Sequence, residues 1–411
     1  MIPEMIKIKL EYEDNSLQDV ESKLIQEIDS LKLNIKKGSR IAITSGSRGI
    51  DRIPLLLKTV VKKVRELGGD PFLVPSMGSH GGATAEGQLK ILEELGITPE
   101  TVGAKILSSM DVVEIGKFIP SDKSGKNTSE KVEIPLVMDK NAWDSEGVIV
   151  INRIKKHTSF TSEIESGILK MIVVGLGKKV QAETIHSFGT KGLREYLIPM
   201  AERILATGKL IAGIGIVENA YDKIADIKAF KPEDIVEGEK KLLKKSLTYL
   251  PSLPVKELDL LIVEQLGKNI SGTGMDTNVI GRMKIQGEPE PETPKIGKIV
   301  VLGLTKETEG NAYGIGLADF ITRSVFESIN FKAMYANAMA STFIERAKIP
   351  VIASSEEEAI DMALKSSGIK DYDKARIIRI KNTLSLDEMW VSPSVFRQLK
   401  ESGHKVNVVN D

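Results

Sequence analysis

The chain holds four histidines and no cysteine. Its acid–base and metal chemistry therefore rests on imidazole, carboxylate, amine or a bound cofactor, with no thiolate available. Three histidines stand in glycine- or polar-rich stretches that read as loops at strand ends: His80 in Ser76-Met-Gly-Ser-His80-Gly-Gly, His157 in Asn152-Arg-Ile-Lys-Lys-His157-Thr-Ser, and His186 in Glu183-Thr-Ile-His186-Ser-Phe-Gly. An imidazole titrates near neutrality, so a pair of them in ligand-accessible loops can pass protons in both directions. A lone loop histidine is ordinarily structural or solvated; three of four in such settings point to a site. His404, in Gly403-His404-Lys405, reads as exposed. The trio lacks the His-x-x-x-His spacing of a helical zinc site, and a three-histidine metal site drawn from separate loops stays open.

Lys170 lies in the apolar run Gly167-Ile-Leu-Lys170-Met-Ile-Val-Val-Gly175. A lysine in such a run usually extends its ammonium to the surface. If it is desolvated instead, its pKa falls and the amine becomes a nucleophile able to bond to a cofactor or substrate. Ser166 and Gly167 beside it admit close approach of a ligand to the backbone. The loop Gly46-Ser47-Arg48-Gly49 can cradle an anion, with Arg48 gripping phosphate or carboxylate. It is neither a P-loop nor a dinucleotide fingerprint, since both glycine spacings are missing. A second polar, glycine-rich loop, from Gly267 through Lys268, Asn278 and Gly281 to Arg282, follows an apolar strand and is long enough to form part of a site.

The elements that must position these residues alternate between strand and helix. Ile6–Glu13 alternates as a strand, and Ser16 is placed to cap a helix running to about Leu33. Arg40–Thr44 reads as a buried strand ending in the Arg48 loop. An amphipathic helix through Leu55 to Leu67 follows, then a strand at Phe72–Pro75, the His80 loop and a helix at Ala85–Leu95. Glu114–Glu133 reads as a hairpin or surface excursion, and Gly147–Ile154 as a strand feeding His157. Ser166–Gly177 reads as an interior helix, followed by a helix near Leu193–Ala206, strand near Leu210–Val217 and a helix opened by Pro232. Pro251-Ser-Leu-Pro254 marks a boundary. Beyond it the pattern restarts with a strand at Leu258–Val263, a linker at Glu288–Lys295, a strand at Ile299–Leu302 and helices near Gly316–Asn330 and Ser355–Ser366.

This rhythm predicts an α/β protein of two α/β domains with mainly parallel sheets, residues 1–254 and 255–411, the site lying in the cleft between them. A return of the C-terminal segment to the first domain is left open. Lys plus Arg and Asp plus Glu balance at 57 each, which gives no basic excess for nucleic acid. No apolar run reaches the roughly 18 residues of a membrane span. The expectation is a cytoplasmic protein with a small-molecule substrate, no membrane or nucleic-acid partner, and a homo-oligomeric state left open.

Taken together, Gly-Ser-His80-Gly-Gly, Asn152-Arg-x-Lys-x-His157-Thr, Ser166-Gly-x-x-Lys170-x-x-x-x-Gly175 and Ile185-His186 resemble, in order and approximate spacing, the lactate racemase family. The resemblance covers most of the chain and is strongest from Ser45 to Gly189. It implies a nickel-pincer nucleotide, a pyridinium-3,5-bisthiocarboxylic acid mononucleotide carrying nickel, bound covalently to Lys170. His186 would be the protein's nickel ligand, the soft sulfur donors arriving with the cofactor. His80 and His157 would be the two acid/base groups. Ser47, Arg48, Ser166 and Gly167 would hold the cofactor. The resemblance also implies cofactor-biosynthesis proteins as partners.

The C2–H of a 2-hydroxy acid is too weakly acidic for imidazole to remove as a proton. Transfer of that hydrogen as hydride, with a histidine taking the hydroxyl proton, avoids a carbanion. The family's first loop carries Asp-x-x-Arg followed by proline, whereas anchoring on Pro54 puts Asp51 at the arginine position. Arg48 is the substitute and Arg52 the second choice for the substrate carboxylate, with Lys268, Asn278 and Lys284 as contacts from the later loop. Two other readings compete: a zinc or manganese hydrolase or lyase ligated by His80, His157 and His186, and a non-catalytic binder of a nucleotide or sugar acid.

Overall fold

A computed structural model describes residues 3–120 and 132–409. They form two compact units. One spans Asp14–Leu250; the other joins the described residues up to Glu13 to those from Pro251 onward.

In the first unit the strands lie in the order Asp70–Pro75, Arg40–Ser45, Gly147–Arg153, Leu210–Glu218 and Ile224–Phe230. The first four are parallel and the last is antiparallel. Side chains on a strand alternate between faces, and here both faces are covered. Ile41, Ile43, Ile149 and Ile151 pack with the helices Val20–Ser30 and Ile53–Glu66, while Ala42, Val148 and Val150 pack with the segment Ile168–Gly175 and the helix Leu197–Leu205. This is why the strands read as continuous apolar runs. The helix at Val20 is capped by Asp19, whose carboxylate accepts the Ser22 N–H at 2.9 Å, and not by Ser16. Ser16 lies before it, its own N–H donating to Asp14. The polar excursion is an antiparallel pair, Val112–Phe118 with Ile134–Asp139; its tip at 121–131 lies outside the described residues.

In the second unit the strand order is Val351–Ala353, Phe320–Thr322, Lys295–Val301, Glu257–Val263, Ile377–Ile380, Glu388–Val391, Ile6–Leu10 and Val406–Val408. The first five are parallel and the rest antiparallel. The strand at Ile6 therefore sits in this sheet, between 388–391 and 406–408, with Ile8 and Leu10 buried in its core. The helix expected near Gly316–Asn330 is divided. A short 3₁₀ turn at Ile315–Leu317 leads to the strand Phe320–Thr322, and a helix runs only over Arg323–Glu327. An aromatic and two β-branched residues in succession fit a buried parallel position between 300–301 and 351–353 better than a helix. Both units are thus α/β with mainly parallel sheets. Among the described residues, no helix is long and apolar enough to cross a membrane.

The N-terminal strand gives a test of this division. Ile8→Ala should cost about 2–5 kcal/mol of core stability. Hydrogen exchange should quicken in peptides covering 388–391 and 406–408 and stay unchanged over 147–153. Equal acceleration in both units, or none, contradicts the placement.

Candidate functional site

Three parallel strands deliver loops to one edge of the first sheet, where ligands of open α/β sheets bind. Arg40–Ser45 runs into Gly46, Ser47 and Arg48, Asp70–Pro75 into the His80 loop, and Gly147–Arg153 into Lys155 and His157. Ser47 Oγ and His80 Nδ1 lie 2.5 Å apart. Ser47, Arg48 and His80 line a pocket of about 330 Å³ whose other wall includes Ile91 and Leu95. The His80 loop turns sharply through Gly81 and Gly82, both at positive φ, and seats its backbone on the helix Ala85–Glu94. A Cβ on Gly87 would lie 1.9 Å from the Gly81 carbonyl oxygen, so only glycine allows this approach.

Lys170 ends a single helical turn, Ile168–Lys170, which widens into a π-helical turn over Met171–Gly175. Such widenings recur at functional sites. The helix Lys178–Ser187 then carries His186 in its last turn, so His186 stands on a helix that continues the buried Lys170 segment and not in a loop at a strand end. The segment is pressed onto the strand ends: a Cβ on Gly175 would stand 2.6 Å from the Ser76 carbonyl oxygen, and one on Gly46 3.2 Å from Met171 Cε. Asn152 Nδ2 donates to the Gly167 carbonyl at 2.8 Å, fixing the chain just before Lys170. Burial, then the charges of Arg48 and Lys155, lower the Lys170 pKa to about 8; Glu165 opposes this. Burial, then Lys170, lowers His186 to about 4, so its ring is neutral at physiological pH. Desolvation, then Arg153, also holds Arg48 below the ordinary arginine range, although Arg48 keeps an exposed surface at the pocket and remains charged.

His157 is held by its own loop. Its N–H donates to the Glu165 carboxylate at 2.5 Å, and that carboxylate also accepts the Ser162 N–H at 3.3 Å. Its Nδ1 accepts the Ser159 N–H at 3.1 Å, which puts the neutral ring's proton on Nε2. Its ring lies 4.5 Å from that of Phe160. Glu165 is buried, and burial raises its pKa.

The first unit thus links Ser47, Arg48 and His80 to Lys170, Lys170 to His186, and Lys170 through Glu165 to His157. Ser166 pairs with Lys155 across an isolated bridge immediately before Gly167. Arg52 is turned elsewhere: it has φ 53° and pairs with Asp51 at 3.1 Å. Lys268, Asn278 and Lys284 belong to the second unit. There Lys268 Nζ donates to the Gly272 carbonyl at 2.6 Å, Asn278 Nδ2 to Asp276 at 3.1 Å, and Lys284 Nζ to the Gly316 carbonyl at 2.8 Å. Among the described residues, no group of three or more histidine or carboxylate side chains is placed to hold a metal ion, so His80, His157 and His186 do not make a shared ligand set.

Two buried carboxylates are absent from the sequence reading. Glu165 directly precedes Ser166-Gly167. Glu239 is fully buried on the helix Ile235–Tyr249; its carboxyl accepts the Leu169 N–H at 2.8 Å and caps the Lys170 turn. Burial raises the Glu239 pKa to about 8. The available signal was a glutamate on the apolar stripe Ile235, Leu242, Leu243.

No protein-family model and no curated protein sequence matches the chain. Among solved structures, the lactate racemase apoprotein from Thermoanaerobacterium thermosaccharolyticum is similar at a TM-score of 0.54 and 15% identity, covering 93% of this chain and 99% of that one. A protein from Thermotoga maritima is similar at a TM-score of 0.54 and 14% identity, covering 85% and 87%. The fold is that of a lactate racemase.

The electrostatics of Lys170 can be read by amine labelling with peptide mapping across pH. Its reactivity should reach half its maximum near pH 8, against about 10.4 for an ordinary lysine. Arg48→Met removes a neighbouring positive charge and should move the midpoint upward. A midpoint at the ordinary value would show that Lys170 is solvated.

Proposed function

We propose that the protein is a racemase or epimerase of a 2-hydroxy acid, working with a nickel-pincer nucleotide attached to Lys170. One observation carries the reading: a buried lysine amine lowered to about 8 acts electrostatically on a buried imidazole lowered to about 4, on the helical segment that follows it, in a chain folded like a lactate racemase. The first group can act as a nucleophile and form a covalent link. The second is a neutral imidazole, the form that ligates a metal. Both match what the cofactor requires of the protein, and a cysteine-free chain suits a nickel ion whose sulfur ligands belong to the cofactor. Ser47, Arg48, Ser166 and Gly167 would surround the nucleotide, and His186 would ligate nickel.

When bound, the cofactor supplies an acceptor for the C2 hydrogen as hydride. The chain's own residues handle the proton. His80 or His157 takes the hydroxyl proton from one enantiomer, leaving a 2-oxo acid. Return of hydrogen to the opposite face of C2 is matched by return of a proton from the other histidine. Arg48, which lines the pocket with Ser47 and His80, would hold the substrate carboxylate. The protein would act in the cytoplasm and depend on the proteins that make its cofactor. Among the described residues, a zinc or manganese site on three histidines has no ligand cluster to support it.

Intact mass, peptide mapping and elemental analysis on protein co-produced with the cofactor-making enzymes test the reading. The expected result is a mass increment on the Lys170 peptide, together with nickel. Lys170→Ala should lose both adduct and turnover. His80→Gln and His157→Gln should keep the adduct and lower kcat by about 10²- to 10⁴-fold on a panel of 2-hydroxy acids. An unmodified Lys170, under conditions that load a lactate racemase, sinks the reading; a loaded protein that turns over no 2-hydroxy acid leaves a binding protein.

A further inference from the structure

Lys178 is fully buried, and no step of the proposed reaction uses it. Its Nζ donates to the Pro75 carbonyl at 2.5 Å and to Gln88 Oε1 at 3.2 Å, and it lies 3.0 Å from Asp139 Oδ2. Gln88 and Asp139 are also fully buried. Gln88 Nε2 donates to the Gly78 carbonyl at 2.9 Å and to the His80 carbonyl at 3.3 Å. An ammonium can only donate, so it fixes the Gln88 amide with oxygen toward Lys178 and nitrogen toward the His80 loop. The direction of every bond in the chain from Lys178 to His80 is thereby set.

A role in stability alone explains this poorly. A buried ion pair is often no more stable than apolar side chains of the same volume. Lys178 also sits at φ 52°, a conformation that costs a non-glycine residue free energy. What the network does contribute is an anchor for the Gly78 and His80 carbonyls in a loop that turns through Gly78, Gly81 and Gly82, all at positive φ.

We propose that Lys178 and Gln88 are positioning residues that act through the backbone of the 76–84 loop to hold His80 against Ser47. The assignment rests on the racemase reading for its catalytic meaning, but its physical content is tested without it.

The chain's four histidines make the ring carbon–proton NMR signals few enough to assign one by one, His80 by its loss in His80→Gln. Two variants of the full chain separate the roles. Gln88→Glu keeps an acceptor for Lys178 but turns a carboxylate oxygen toward two carbonyls, removing both donated bonds to the loop. Gln88→Met removes all three. Each should move the His80 signal from its wild-type position as the Ser47 contact is lost, in the direction that Ser47→Ala moves it, and leave His157 and His186 in place. On loaded enzyme, each should lower kcat by about 10²-fold with KM nearly unchanged.

An unmoved His80 signal in a folded variant overturns the proposal, as does equal displacement of His157 and His186, which would mark general loosening. Failure of both variants to fold would make the network a fold element only and overturn it too. If the wild-type protein shows no racemase activity, the NMR result still decides whether Gln88 positions His80. If the signal stays put while the enzyme turns over, the positioning claim falls and the racemase reading stands.

Discussion

The site depends on how closely the segment from Ile168 to Gly175 is seated on the ends of the parallel strands. The seating is a contact of backbone with backbone. At Gly175 a Cβ would meet the Ser76 carbonyl oxygen at 2.6 Å, which leaves no room for a larger side chain, while Gly78 packs on Val174 and Ala182 at a positive φ of 61° that favours glycine. At the other end, an ideal Cβ on Gly167 would fall 2.0 Å from Glu239 Oε1. Glycine at 167 is therefore a condition for a fully buried carboxyl to reach the first N–H groups of the helix. The termini of a helix leave unpaired donors that must find partners when buried, and Glu239 supplies one. From this packing follows the position of Lys170, one turn in, and of His186, on the helix that continues after it.

Burial is the first-ranked cause of the lowered pKa of both Lys170 and His186, and charge adds to it. The two groups reinforce each other, because a protonated Lys170 disfavours a second positive charge on His186. With a pKa of about 8, roughly a tenth of Lys170 is neutral at pH 7, some two hundred times the fraction of an ordinary lysine. Arg48 and Lys155 add positive potential that Glu165 offsets only partly. Such a field is costly in an empty site and favours an anion, whether phosphate or carboxylate. The same positive potential that lowers the amine's pKa thus also favours an anion beside it.

Much of this was legible in the sequence because the signals are local. Apolar runs followed by glycine and polar residues locate strand ends, and Ser166-Gly167 before a lysine in an apolar run locates the Lys170 turn. What was not legible depends on distant chain. The home of Ile6–Leu10 is decided by pairing with 388–391 and 406–408, nearly four hundred residues away. Phe320–Thr322 is a strand because two others flank it, although its surroundings carry helical spacing. Lys178 looks like an exposed charge by type, and Glu239 is marked only by its place on an apolar helix stripe; tertiary packing buries both and directs them at the backbone around Lys170 and His80.

The first loop shows how such long-range pairing assigns function among residues of one type. Arg52 pairs with Asp51, which also accepts the Ile224 N–H at 3.3 Å and lies 3.8 Å from Lys223. Arg153 pairs with Glu218, whose other oxygen accepts the Asp51 N–H. These contacts bind two of the three arginines into a set of ion pairs at the ends of the strands Gly147–Arg153 and Leu210–Glu218. Arg48 is the arginine that lines the pocket with Ser47 and His80. Arg153 still acts on it electrostatically, so a ligand anion bound by Arg48 would also feel the second charge. With Asp51 where the lactate racemase pattern has arginine, the guanidinium at the pocket is that of Arg48, three residues earlier. Under the proposed function the reach and direction of a carboxylate grip would change with it, and so would the choice of 2-hydroxy acid.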